Sequence, residues 1–112
     1  MIIEQVLLDY LGEVLDVPVF VYEPENPPVS FVLILKTGSS RENYINKSTV
    51  LFRSYGETLY DCAVLNEAVK EAVENSITLD GISKAKLNSD YNYPDTQKKK
   101  NRYQAVFDLT HY

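Results

Sequence analysis

The sequence predicts an α+β domain of two layers, with two helices packed on one face of a mostly antiparallel sheet of four to five strands. Three observations support this class. Two segments carry apolar residues at helical spacing, the final third alternates apolar and polar residues at strand spacing, and strands follow one another in runs instead of alternating with helices. The predicted order is helix, strand, strand, strand, helix, strand, strand, within a single domain of residues 1–112.

Residues 2–15 predict the first helix. Their apolar residues recur at i, i+3, i+4 and i+7, and they are Ile3, Val6, Leu7, Tyr10, Leu11, Val14 and Leu15. Acidic residues near the start suit the positive end of the helix dipole. Pro18 ends the helix, because a proline disfavours helical geometry in the residue before it.

Residues 18–22, PVFVY, predict a short strand of β-branched and aromatic residues. The proline favours an edge position or a strand start, because it cannot donate a hydrogen bond to a neighbouring strand. Residues 23–28, EPENPP, follow this strand. Their three prolines predict a stiff, extended and exposed connection.

The most apolar strand is predicted at residues 29–36. Its centre, residues 31–35, has no polar interruption, which is typical of a strand in mid-sheet or one covered on both faces. A polar loop of residues 37–46 then leads to a partner strand at residues 47–55. Loops of this length often carry contacts with other molecules.

Gly56 marks the turn into a second helix, predicted at residues 57–76. Two capping boxes could start it: Ser54 with Glu57 or, with a poorer fit, Thr58 with Asp61. The predicted buried stripe is Leu59, Cys62, Leu65, Val69, Ala72 and Val73. The predicted solvated side is Asp61, Glu67, Lys70, Glu71 and Glu74.

The final third predicts two strands joined by a polar loop at residues 92–101. In the second strand the predicted core face is Tyr103, Ala105, Phe107 and Leu109. In the first strand the predicted inner face is Ala85, Leu87 and Tyr91, opposite to Lys84, Lys86, Asn88 and Asp90. A period of two is the mark of a half-buried antiparallel strand, so this hairpin is predicted to be the platform under the helices.

Composition excludes several classes of function. A formal net charge of -5 argues against general nucleic-acid binding, which needs a basic footprint. A single cysteine excludes an internal disulfide framework. No basic segment or cleavage signal follows Met1, so no secretory signal peptide is predicted. No apolar run approaches the roughly 20 residues that a membrane span needs, so no membrane partner is expected.

The charges are unevenly distributed along the chain. Residues 1–35 hold six acids and no Lys or Arg, whereas residues 84–102 hold six of the eleven bases. Two interpretations stay open. The charges could belong to two solvated faces, or the chain could be a bipolar subunit whose acidic side meets the basic side of a neighbour. A head-to-tail contact of the second kind closes into a ring when the rotation between subunits allows it.

The sequence offers few groups for catalysis, which needs a nucleophile, a base or a positioned metal. Cys62 lies on the apolar stripe of the second helix, where a cysteine behaves as a small buried hydrophobe. His111, the single histidine, stands at a strand end. One cysteine and one histidine do not make a zinc site, and no cofactor is expected. A small hydrolase that uses a Cys62–His111 pair is the enzymatic alternative.

Several features follow one another in a distinctive order. They are an amphipathic helix running into Val17-Pro18-Val19, the proline-rich residues 23–28, a strand ending in Lys36-Thr37-Gly38, Ser54-Tyr55-Gly56 at the entry to a helix, and DYNYPD at 90–95 followed by RYQAVF at 102–107. In this order and spacing the chain resembles the small tail-completion proteins of long-tailed bacteriophages and prophages. These are tail-terminator and head–tail joining proteins, often labelled minor capsid proteins. The resemblance covers nearly the whole chain.

The resemblance implies an α+β subunit that forms a homo-hexameric ring at the head-proximal end of the tail. Such a ring stops growth of the tail tube and presents a surface to the head connector. The implied partners are further copies of the chain, the major tail tube protein and a head-completion or connector protein, and DNA only passes through the channel. The implied work is non-enzymatic, at the tail–head junction of the virion, after assembly in the cytoplasm of the bacterial host. A head-completion, or stopper, protein of the connector region is the alternative within this class.

Contacts with other subunits or with the tube are predicted from two long polar loops, residues 37–46 and 92–101, and from the acidic proline-rich segment. The candidate contact residues are Glu23, Glu25, Arg41, Tyr44, Tyr93, Lys98, Lys99, Lys100 and Arg102. Complementary charges between subunits steer association and fix register more than they add affinity. The basic loop at residues 92–101 is therefore expected to meet an acidic neighbour.

Overall fold

Two helices and five strands occur in the predicted order in a computed structural model, which describes all of residues 1–112. The elements are α1 (Ile3–Val14), β1 (Val19–Phe20), β2 (Phe31–Glu42), β3 (Ile45–Gly56), α2 (Leu59–Glu74), a 3-10 turn (Asn75–Thr78), β4 (Ile82–Asn92) and β5 (Asn101–His111). The strands form one sheet in the order β1-β2-β3-β5-β4. Only β1 and β2 pair in parallel. The predicted α+β class, the mostly antiparallel sheet and the edge position of the first strand are confirmed.

Both helices contribute to one core on a single face of the sheet. The members of this core are Ile3, Leu7, Leu11, Val32, Ile34, Val50, Phe52, Val69, Val73, Ile82, Ala105, Phe107 and Leu109. At its centre the Phe52 and Phe107 rings meet edge to face, with centroids 5.7 Å apart. The Tyr10 hydroxyl donates to the backbone oxygen of Ala72 at 2.8 Å and ties α1 to α2. The core face predicted for the last strand is therefore confirmed at Ala105, Phe107 and Leu109.

The start of β2 is buried on both faces, as its apolar run predicts. Val32 and Ile34 belong to the core beneath the helices. Phe31 and Leu33 point the other way and form a second, smaller cluster with Tyr55. The Phe31 and Tyr55 rings stack with centroids 4.2 Å apart. This second cluster fixes the end of the sheet where β3 leads into α2.

The second helix begins at the weaker of the two predicted capping boxes. Thr58 Oγ1 accepts a hydrogen bond from the backbone N–H of Asp61 at 3.1 Å. Ser54 instead lies inside β3, and its buried hydroxyl has no hydrogen-bond partner. Gly56 lets the helix start pack closely, because a Cβ there would lie 3.1 Å from the Asp61 Cβ.

Replacing Thr58 with alanine is expected to lower the free energy of unfolding by about 1 kcal/mol, since the N–H that it caps would lose its partner. Ser54→Ala is the matched control, because it removes a hydroxyl that bonds to nothing, and its effect should stay within about 0.5 kcal/mol. Urea unfolding of the two variants measures both values. A larger loss for Ser54→Ala than for Thr58→Ala would contradict the cap seen here.

The loop predicted at residues 37–46 is wrong, because most of it is strand. β2 continues to Glu42 and β3 begins at Ile45, so that only Asn43 and Tyr44 form the turn. Both residues have positive φ angles, 50° and 66°, which is the backbone of a two-residue hairpin turn. The sequence does not mark this strand, because its side chains are exposed on both faces and show no apolar alternation. Pairing with β3 holds it in place.

The face predicted for Tyr91 is also wrong. The pairing of β4 with β5 shifts register between Leu87 and Ser89, and such a β-bulge exchanges the faces of the residues that follow it. Asp90 therefore points to the helices, whereas Tyr91 lies on the opposite side of the sheet from Leu87. A bulge of this kind leaves no signature in the apolar pattern, since the residues around it are polar.

Candidate interaction surface

The face of the sheet that lies away from the helices, here called the open face, carries three lysines near the β2–β3 turn. We call Lys47, Lys84 and Lys86, all exposed, the basic patch. The strand register brings them together. Lys47 and Lys84 both pair with Thr110, and Lys86 pairs with Asp108 in the next row. None of the three lysines has an acidic partner at ion-pair distance.

An open cavity of about 450 Å³ lies over the basic patch, lined mainly by lysines and by Ser and Thr residues from β2, β3, β4 and β5. Asp108 is its single acid. The Asp108 carboxylate accepts hydrogen bonds from Thr49 Oγ1 at 3.2 Å and from Asn88 Nδ2 at 3.1 Å. Three cations therefore face one anion, and the potential of this surface favours a negatively charged partner.

Beyond the basic patch the open face becomes apolar and then polar again. The next row across the strands is half-buried, and it consists of Leu35, Leu51 and Val106. In the following row Arg53 Nε donates to Gln104 Oε1 at 2.8 Å, and Gln104 Nε2 donates to the Tyr91 hydroxyl at 2.6 Å. An apolar centre with a polar, charged rim is the usual composition of a protein–protein contact.

The second predicted contact loop, residues 92–101, is anchored to its own chain by Arg102. The Arg102 Nε donates to the backbone oxygen of Tyr93 at 2.6 Å, and its Nη1 lies 3.5 Å from Asp95 Oδ2. The guanidinium also lies 4.7 Å from the centre of the Tyr93 ring. The pKa of Asp95 is held below its usual value, first by the hydrogen bond from the backbone N–H of Lys98 and then by the charge of Arg102.

Lys98 also forms an ion pair within its own chain. Its Nζ lies 2.9 Å from Glu23 Oε2 in the proline-rich segment. The hydrogen bond to Glu23 raises the pKa of Lys98. Four candidate contact residues are thus engaged internally, namely Glu23, Tyr93, Lys98 and Arg102. The others lie on the surface without an ion-pair partner, and they are Glu25, Arg41, Tyr44, Lys99 and Lys100.

The outer side of the two helices, here called the acidic helix layer, carries almost no positive charge. α1 has no Lys or Arg, and α2 has only Lys70. The Lys70 Nζ lies 2.8 Å from Glu67 Oε1 and 2.9 Å from Asp90 Oδ2. These bonds raise the pKa of Lys70 and neutralise its charge locally. The acids without a basic partner on this layer are Asp9, Glu13, Asp16, Asp61, Glu71 and Glu74.

An apolar groove opens in the acidic helix layer, between the end of α1 and the first turns of α2. It has a volume of about 480 Å³, and its apolar lining includes Val14, Val17, Tyr60, Val64 and Leu65, with Asp16 and Asp61 among the polar lining residues. The side chains of Val14 and Val64 are 50% and 51% exposed. Val14 follows the apolar spacing of α1 but borders this groove and is not part of the core. Leu59, predicted to be buried, is instead exposed at the helix start.

The tip of the β2–β3 hairpin presents an aromatic side chain to solvent. Tyr44 is 82% exposed. The Arg41 guanidinium lies 5.9 Å from the centre of the Tyr44 ring. Ile45 beside it is also exposed. This tip is therefore both apolar and cationic.

A serine–histidine pair that the sequence does not predict lies on the helix-facing side of the sheet. Ser48 Oγ and His111 Nε2 are 2.8 Å apart, and both residues are 3% exposed. No carboxylate hydrogen-bonds to His111 Nδ1, so the pair lacks the third member of a catalytic triad. Both side chains lie on the core side of the sheet, on the same face as Val50 and Leu109. The signal that could have found the pair is the alternation of β3, which puts Ser48 on the same face as Val50.

His111 is expected to make the fold sensitive to acid. Burial lowers the pKa of His111 and outweighs a backbone hydrogen bond at Tyr112, which raises it; the charges of Lys36 and the N-terminal amine lower it further, and Glu4 opposes them. The unfolded chain, whose His pKa is about 6.5, then binds more protons than the folded chain just below that pH. Stability from this group is therefore complete above about pH 6.5 and is lost as the pH falls toward the lowered pKa.

Denaturant unfolding at pH 7 and pH 5.5 checks this expectation. The free energy of unfolding should drop between the two values in the unmodified protein, and it should drop less in His111→Gln. Glutamine retains a polar group near Ser48 but does not titrate. The same pH dependence in both proteins would show that His111 is not responsible.

Cys62 and His111 are too far apart to act as a pair. The Cys62 Sγ lies 3.7 Å from the backbone oxygen of Gly56, at one end of β3. His111 pairs with Asn46 at the other end of β3. The ten steps along β3 from Asn46 to Gly56 span roughly 33 Å at a rise of about 3.3 Å per residue. Burial also raises the pKa of the Cys62 thiol, which makes it a poor nucleophile.

No group of three or more His, Cys, Asp or Glu side chains is placed to hold a metal ion. Neither helix is long and apolar enough to cross a membrane. A scan against models of known protein families finds no match, and a search of curated proteins finds no relative.

Proposed function

We propose that this protein is a non-enzymatic virion assembly protein, which caps the tail tube of a long-tailed bacteriophage and joins it to the head connector as a homo-hexameric ring. The proposal starts from the order and spacing of segments that resemble tail-completion proteins. It assigns no catalytic residue and no cofactor. Its site of action is the tail–head junction of the virion.

The observation that carries the proposal is the opposite charge of the two layers. The acidic helix layer has a single base, Lys70, which is already paired. The basic patch on the open face has no acidic partner. A subunit whose opposite faces carry opposite charge is suited to contact its own copies head to tail, because each copy offers the surface that the next one lacks.

Such a contact is heterologous, since it joins two different surfaces. It repeats from copy to copy until the rotation closes a ring. The opposite charges of the acidic helix layer and the basic patch guide two copies toward each other and fix the register of their contact. The apolar row at Leu35, Leu51 and Val106 offers surface to bury. The net charge of -5 makes the assembled ring acidic, so that duplex DNA would pass it without binding.

Tail tubes assembled from the major tail protein of the same virus give a direct test. The protein should co-sediment with the tubes and, when added during growth, shorten them, because a capped end no longer elongates. Tubes of unchanged length, with no protein in the pellet, would refute the proposal. Binding to the connector assembly, but not to tubes, would favour a stopper protein instead.

A further inference from the structure

We propose that the Tyr44 tip of one copy docks in the apolar groove between α1 and α2 of the next copy. This inference rests on the proposed ring and names the contact that joins its subunits. Three observations lead to it: a turn residue in an unfavourable conformation, a groove that nothing covers, and complementary charges beside each.

Tyr44 occupies a backbone conformation that disfavours tyrosine. Its φ angle is 66°, in the left-handed region, and the second position of such a two-residue turn usually holds glycine. A bulky residue there costs conformational free energy. The contacts of its side chain within the chain do not offset this cost, since it is 82% exposed and only the Arg41 guanidinium lies near its ring. An exposed aromatic residue held in this way is explained by a contact outside the chain.

The groove offers the kind of site that an aromatic anchor fills. Its volume of about 480 Å³ exceeds that of a single side chain, and seven of its ten lining residues are hydrophobic. Tyrosine is favoured as a contact anchor because its ring is apolar while its hydroxyl can stay hydrated. Tyr60 on the groove wall adds a second ring with which Tyr44 could pack.

The charges beside the tip and the groove are complementary. Arg41 and Lys47 flank the tip, whereas Asp16 and Asp61 lie in the groove. None of the four has an ion-pair partner within its own chain. Docking would bring cations to anions on both sides of the ring of Tyr44, which fixes the register of the contact.

The groove cannot receive the tip of its own chain. β3 starts at the tip and ends at Gly56, which packs against Asp61 at the groove. The 11 steps along its 12 residues separate the two sites by roughly 36 Å at a rise of about 3.3 Å per residue, in a molecule 43 Å long. The occupant is therefore a second copy. Because the tip and the groove are different surfaces, the contact propagates around a ring.

Mixing two single-cysteine variants tests the contact. Ile45→Cys, which leaves Tyr44 in place beside it at the tip, and Val64→Cys should each form no covalent dimer alone under mild oxidation, whereas their mixture on tail tubes should give one. A mixture of Ile45→Cys with Ile77→Cys, an exposed residue of the 3-10 turn far from the groove, is the matched control and should give none. The unmodified protein verifies that buried Cys62 does not react.

Tyr44→Gly provides the second readout. Glycine adopts a positive φ freely, so the variant should unfold at the same or a higher temperature, while its binding between copies weakens at least tenfold. Association of Tyr44→Gly equal to that of the unmodified protein would overturn the inference, as would a dimer formed by Ile45→Cys alone. If the cysteine variants decorate tubes but the mixture does not cross-link, the docking contact is wrong and the ring stands. If the unmodified protein does not decorate the tubes, both are wrong.

Discussion

Phe52→Ala is expected to lower the free energy of unfolding by about 3–5 kcal/mol, the usual cost of truncating a buried aromatic residue. Phe52 lies fully buried on β3, between the helices and the sheet. Its ring meets Phe107 edge to face, so the variant would lose that contact and leave a cavity at the centre of the core. Small domains have a total stability of about 5–15 kcal/mol, so the loss should remove a large part of it and raise the fraction of unfolded molecules.

Guanidinium unfolding followed by circular dichroism measures this effect. Leu51→Ala is the matched control, because Leu51 is the adjacent residue on β3 and points to the open face, where it is half-buried. It should cost clearly less than Phe52→Ala. Equal costs for the two variants would contradict the assignment of helix-facing and open faces, on which the rest of the account depends.

Reversing charge in the basic patch is expected to abolish association between copies. The double variant Lys84→Glu/Lys86→Glu would place acids opposite the acidic helix layer of a neighbour, and like charges facing each other cost several kcal/mol. Each loss of about 1.4 kcal/mol weakens binding tenfold. The fold should be unaffected, because both side chains are exposed. Sedimentation with tail tubes measures the association.

Lys99→Glu/Lys100→Glu changes the net charge equally, but on the other candidate contact, the loop between β4 and β5. If the basic patch makes the contact, this variant should retain binding, whereas loss of binding in it alone would place the contact at the loop. Binding of the unmodified protein should weaken as salt is raised. Lysines on an edge strand such as β4 also prevent unwanted edge-to-edge pairing. Glutamates would also prevent edge-to-edge pairing. Unchanged assembly of Lys84→Glu/Lys86→Glu would therefore show that the lysines only protect the edge strand, and would contradict a role in the contact between copies.

The elements with strong periodicity could be predicted from the sequence. Each of these elements buries one face or both, so its apolar residues recur at the spacing of a helix or a strand. They are α1, α2, the apolar start of β2 and the core face of β5. The tip of the β2–β3 hairpin could not be predicted in this way. Both of its faces are exposed, so its strands are defined by backbone hydrogen bonds and not by side-chain type.

One further error, the face of Tyr91, and one open choice, the start of α2, depended on tertiary contacts. The bulge after Leu87 turns Asp90 toward Lys70. The polar residues around it give no sign of this change in strand register. The helix start at Thr58 was chosen over Ser54 because β3 continues through Ser54 to Gly56. In both cases strand pairing decided the outcome, and strand pairing involves residues distant in sequence.

The candidate surface was predictable only in part. The separation of acids from bases is visible in the sequence, and Arg41 and Tyr44 were identified as contact candidates. The sequence could not show that Lys98 is paired with Glu23, or that Lys47 joins Lys84 and Lys86 across three strands. The apolar groove was hidden as well, because Val14 has the same apolar spacing on α1 as the residues that do reach the core.

Electron microscopy of tail-tube ends tests the central claim most directly. Tubes assembled with an excess of this protein should carry a ring of added density at one end only, with six-fold rotational symmetry and one copy of the fold in each repeat. Bare tube ends in the presence of excess folded protein would contradict the claim that this chain caps the tail as a ring.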